Sequence, residues 1–93
     1  MNSAKFYFVN LGADVARCIN ASRAGDSARY EDSLARAHGT LASMRAANRR
    51  EAYEEGLLML RGLALSRTSP ASLNAFEQNI NALIGAHLRG PLA

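Results

Sequence analysis

The chain contains one cysteine, Cys18, so no internal disulfide can form and a zinc site built from paired cysteines is excluded. A lone thiol suits a reduced compartment, which places the expected location in the cytoplasm; its expected role is that of a small buried apolar residue. Lysine is nearly absent too: ten of the eleven basic residues are arginine, and Lys5 is the exception. The net charge of +3 is modest and is not gathered into one long basic run, unlike a dedicated nucleic-acid-binding domain. Long hydrophobic runs are missing at the N-terminus. The apolar stretch from Phe6 to Leu11 is soon interrupted by Asp14 and Arg17, too early for a signal peptide or a membrane span.

The chemistry-bearing motifs are missing as well. Neither histidine has a glutamate three positions before it: Ala35 precedes His38 and Ile84 precedes His87, so the Glu-x-x-His pattern of carboxylate-bridged di-metal bundles is absent. There is no glycine-rich phosphate loop, nucleophile elbow or dinucleotide fingerprint. The carboxylates Glu51, Glu54 and Glu55 share a helical turn with Arg49 and Arg50. At a helix start they complement the dipole, which accounts for them without acid–base chemistry. These absences lead to the expectation of a non-enzymatic protein with no cofactor and no metal.

Four helical segments are legible, at about residues 3–24, 27–47, 49–66 and 70–89, within one domain spanning 1–93. In the first, Phe8, Leu11, Val15 and Cys18 recur at 3-4-3 spacing, and Ile19 widens the stripe. Phe6 to Val9 has local strand character, but no later segment offers a strand partner. Gly25 supplies a left-handed stop and Asp26 an N-cap. In the second segment Tyr30, Leu34, Ala37, Leu41 and Met44 form a 4-3-4-3 seam. Asn48 followed by Glu51 resembles a capping box and predicts a break there. Ser69-Pro70 is the clearest boundary, an N-cap followed by a natural first helical residue. The fourth segment repeats Leu73, Phe76, Ile80, Leu83 and His87, and Gly90-Pro91 ends it. These segments predict an all-α, up-down four-helix bundle, completed within one chain or extended by homodimerisation.

Gly12, Gly39, Gly56, Gly62 and Gly85 all fall inside predicted helices. Each costs about 1 kcal/mol relative to alanine, and close approach of neighbouring helices is the expected return.

The strongest functional signal is the run Leu57-Leu58-Met59-Leu60-Arg61-Gly62-Leu63-Ala64-Leu65, apolar at seven of nine positions. A helix apolar all round must be buried all round. A small bundle leaves part of such a surface uncovered, so a partner is expected to cover it: a second copy of the chain, or another protein. Phe6, Tyr7, Leu57, Leu60 and Leu63 are the expected contact residues, with Tyr7, Tyr30 and Tyr53 at an interface rim or a core edge. Leu60→Asp distinguishes the two placements of the run, because it unfolds a chain in which Leu60 is core and only dissociates one in which it is interface.

Two other readings attach to specific residues. Arg45, Arg49 and Arg50 form a candidate phosphate-binding patch for a nucleic-acid-associated regulator, opposed by the glutamates within a turn of it. A helix-turn-helix across Gly25 would turn Asp26, Glu31 and Asp32 towards an acidic duplex. The stretch Ala37-His38-Gly39-Thr40-Leu41-Ala42-Ser43 resembles the histidine motif of phosphotransfer domains, which are also helical bundles with one reactive histidine. The likeness covers these residues only. The basic residue typical of that motif is absent and the spacing is disturbed by one, so it implies His38 as a phosphoryl acceptor by analogy alone.

Overall fold

The computed structural model describes residues 4–89, and their side chains from 5 to 86. Four helices account for nearly all of them: α1 (Ala4–Ala24), α2 (Ser27–Ala46), α3 (Arg50–Ser66) and α4 (Pro70–Arg89). No strand occurs among the described residues, and Phe6 to Val9 lies within α1. The expected start at Ser3, the Gly90-Pro91 end and the side chain of His87 lie outside the described residues.

Short connections force successive helices to run antiparallel. The first two are built alike. Gly25 takes a φ of 69° and Asn48 a φ of 62°, the left-handed conformation that turns a chain out of a helix. At the end of α1, the Gly25 N–H donates to Ser22 O (3.2 Å) and the Asp26 N–H to Ala21 O (2.9 Å). At the end of α2, the Asn48 N–H donates to Arg45 O (3.1 Å) and the Arg49 N–H to Met44 O (2.9 Å). This paired pattern is the Schellman motif, which satisfies carbonyls the helix end leaves open. The break at Asn48 is therefore real, but the capping-box reason for it is corrected. Asn48 terminates α2, while Arg49 stands at the N-cap of α3 with no side-chain cap bond. Asparagine serves there because it tolerates the left-handed region better than most residues with a side chain.

The other two helix starts follow the sequence. Asp26 accepts a bond from the Arg29 N–H at 3.0 Å. Ser69 Oγ accepts from the Ser72 N–H at 3.1 Å, with Pro70 next in line. The α3–α4 connection is tied to α2 by Arg67, whose guanidinium lies 3.6 Å from the centre of the Tyr30 ring.

The four helices enclose a common core. Its radius of gyration is 12.8 Å, against about 12 Å for a compact domain of this length. Helix α1 touches all three other helices, whereas α2 and α4 lie on opposite sides of it and do not meet. Phe8, Leu11, Val15, Cys18 and Ile19 of α1 are buried, joined by Tyr30, Ala37, Leu41 and Met44 of α2. From α3 come Met59, Leu60 and Leu63, and from α4 Leu73 and Ile80, with Phe76, Leu83 and Ile84 partly covered. Arg23 at the end of α1 donates to Glu77 Oε1 at 2.8 Å and also to Asn74, so α1 and α4 are pinned across the bundle. The pairing raises the Arg23 pKa and lowers that of Glu77, chiefly through this hydrogen bond.

The helical glycines divide by surroundings. A methyl carbon built at Gly12 lies 3.1 Å from Ile84 Cδ1, one at Gly62 lies 2.9 Å from Phe76 Cε1, and one at Gly56 lies 2.6 Å from Leu41 Cδ2. These three let neighbouring helices close in, as expected. Gly39 has nothing within 4 Å of that carbon, so close packing does not explain it. Gly39→Ala is accordingly expected to stabilise the fold by about 0.5–1 kcal/mol, through helix propensity alone. A chemical denaturation midpoint that stays level or falls would contradict this.

Candidate interaction surfaces

The apolar run of α3 faces three directions at once. Leu60 and Leu63 point into the core, Leu57 is half-buried beside α2, and Leu58 and Leu65 face solvent at 64% and 75% exposure. The expected contact residues are therefore spread over buried and exposed positions. Leu60, Leu63 and Tyr7 are buried by their own chain, Leu60 with only an edge at the floor of a groove between α2 and α3. Tyr7 is held edge-on to Phe6 with ring centres 5.5 Å apart, and Phe6 itself is 47% exposed. Tyr30 is buried and Tyr53 half-buried, which places one tyrosine in the core and one at a groove edge. Leu58 and Leu65, which the expected set does not include, are the large apolar residues of the run that stand exposed.

Leu58 and Leu65 are one heptad apart and so lie on the same strip of α3. At Leu58, between α3 and α4, opens an apolar groove lined by Leu58, Met59, Phe76, Ile80 and Leu83, with Glu55 and Asn79 at its edges. Gly62 shapes it, because the Phe76 ring lies where a side chain on Gly62 would stand. The exposed flank of α4 is free of charge: from Ala71 to Ala86 every exposed residue is alanine, asparagine or glutamine. The one charged residue in that span, Glu77, is paired with Arg23.

A second groove separates α2 from α3. Its walls carry Tyr30, Leu34, His38 and Arg45 from α2 and Tyr53, Leu57, Arg61 and Ala64 from α3, over a floor that includes Leu41 and Leu60. No aspartate or glutamate lines this stretch. Past its Arg45 end lies a polar hollow formed by Arg45, Asn48, Arg50, Tyr53 and Glu54. The arginine patch is thus divided: Arg45 and Arg50 are exposed and share that hollow with Glu54, while Arg49 is half-buried at the helix start. Glu51, Glu54 and Glu55 are exposed on the first turns of α3.

Other reactive groups are accounted for structurally. Cys18 is fully buried, and its Sγ donates to Tyr30 O at 3.8 Å. Burial, and then the nearby Asp14 carboxylate, push its thiol up to about 11, which keeps it protonated and unreactive near neutral pH. Asp14 is itself buried and ion-paired to Arg17 at 2.9 Å. His38 is exposed on α2, within the second groove. Among the described residues, no three histidine, cysteine, aspartate or glutamate side chains gather to hold a metal ion, and no helix is long and apolar enough to cross a membrane. No protein-family model, no curated protein and no solved structure matches the chain.

Proposed function

We propose that the protein is a small non-enzymatic interaction module that pairs with a second copy of itself through the α3–α4 face. One observation carries this reading: Leu58 lines an apolar groove and stands exposed with Leu65 on one strip of α3, on a face whose α4 flank lacks charge. Exposed leucines occurring singly are ordinary, but a ridge, a groove and a charge-free flank together have the composition of an interface centre. The occupant follows from geometry. Ridge and groove lie side by side on one face, so a two-fold axis through that face sets each copy's leucine ridge against the other's groove. That reciprocity is what an isologous dimer requires.

The test is sedimentation equilibrium of the wild-type chain and of Leu58→Asp and Leu65→Asp, each paired with far-UV circular dichroism. The wild type is expected to be dimeric at micromolar concentration and to stay so in high salt, as hydrophobic association does. Each variant is expected to be a monomer with undiminished helix, because an exposed carboxylate costs nothing in the single chain but is desolvated in the pair. A monomeric wild type, or folded variants that still pair, would overturn the proposal.

A further inference from the structure

We infer that the α2–α3 groove is a second binding site, for an amphipathic helix whose apolar face is flanked by carboxylates. It is independent of the pairing face: that face lies on the α4 side of α3, and this groove on the α2 side.

The shape of the groove selects the form of its occupant. From Tyr30 to Arg45, its wall follows α2 for sixteen residues, about 22 Å at the helical rise. That matches about four turns of a partner helix laid along it. Along α2 the lining positions Leu34, His38, Leu41 and Arg45 step by four, three and four, the spacing of one continuous helical strip. Ala42 on one wall and Ala64 on the other keep the rims low, which allows a third helix to come close.

The charges select its chemistry. Arg45 stands on the α2 wall towards the Tyr53 end, and Arg61 on the α3 wall towards the Tyr30 end. An occupant therefore meets a guanidinium on each flank, in opposite halves of the groove, and no lining carboxylate opposes it. Guanidinium groups at a partly dehydrated rim pair with carboxylates bidentately, which fixes orientation as well as sign. A nucleic-acid strand fits less well: its phosphates would satisfy the arginines but leave half-buried Leu34 and Leu57 uncovered, and Glu54 would meet it beyond Arg45.

The experiment uses two synthetic helical peptides of about four turns, identical on a Leu/Ala face and flanked either by glutamates or by lysines. Binding is read by fluorescence anisotropy against the full chain, with a single-stranded RNA oligonucleotide as a third probe. The glutamate peptide is expected to bind the wild type, and the lysine peptide to bind at least about tenfold more weakly. In Arg45→Glu/Arg61→Glu that order is expected to reverse, while helix content and sedimentation stay as in the wild type. Equal binding of both peptides, binding of neither, or an unreversed preference in the double variant would overturn the inference. Preferential binding of the RNA would do so as well, and would assign the site to nucleic acid. The readouts also separate the two proposals, because loss of self-pairing does not alter the sign preference of the peptides.

Discussion

Replacing Leu60 by aspartate is expected to abolish the fold. Leu60 is 6% exposed and belongs to the core of the single chain, so the substitution acts before any partner is involved. Removing a buried leucine side chain costs about 2–5 kcal/mol from lost burial and the cavity left behind. An unpaired carboxylate in its place adds a desolvation penalty of at least a few kcal/mol. Against this stands a total stability on the order of 5–15 kcal/mol, with small domains towards the lower end. Far-UV circular dichroism is expected to show lost helix and no cooperative thermal transition. The contrast with Leu58→Asp sharpens the test, because the two leucines are two residues apart on one helix and differ chiefly in the side they face. A helical, cooperatively melting Leu60→Asp variant would show that the core has been placed on the wrong side of α3.

The second large effect is expected at Gly56, where three helices converge. A methyl carbon there lies 2.6 Å from Leu41 Cδ2 on α2 and 2.9 Å from Leu11 Cδ2 on α1, with Met44 Sδ at 3.7 Å. Leu11 has no exposed surface and Leu41 only an edge at the α2–α3 groove, so both side chains must repack to admit the new carbon. Overpacking of this kind costs about 1–3 kcal/mol, which outweighs the gain of about 1 kcal/mol from helix propensity. Gly56→Ala is therefore expected to be less stable than the wild type by up to about 2 kcal/mol, opposite in sign to Gly39→Ala. Urea denaturation of the two single variants and the double variant measures both terms. If Gly56→Ala gained stability, the three-helix contact would be looser than the geometry requires.

These two positions also show where the sequence is informative. The helices and their limits are legible because punctuation is local chemistry: Gly25 with Asp26, and Ser69 with Pro70, mark ends whatever the bundle does around them. Asn48 marks an end too, though by adopting a left-handed turn rather than by capping the helix that follows. The seam of α2 is legible because polar residues separate its apolar ones, and its members except half-buried Leu34 are buried. Helix α3 is harder to read. With seven apolar positions in nine, periodicity no longer says which side is inward, and Leu60 and Leu63 are as plausible outside as Leu58 and Leu65. The discriminating signal is Ala52 and Gly56 upstream. Small residues mark the side where helices close in, and Leu58 lies about 200° around the helix from Gly56. The α2–α3 groove has no one-dimensional signature, since its two arginines are brought to opposite walls only by the pairing of the helices.

The distribution of buried side chains gives order to the birth of the molecule. Among the described residues, the largest fully buried side chains are Phe8, Leu11, Val15, Cys18 and Ile19, all of α1, with Met44 and Leu63. The helix that holds the interior together is thus made before the helices that enclose it. Until α3 and α4 have been synthesised, one flank of this stripe has nothing of its own chain to lie against. An apolar flank left open in this way is the kind of surface that chaperones bind and that aggregates when synthesis stalls. Once α4 docks, Arg23 and Glu77 latch the first of these four helices to the fourth.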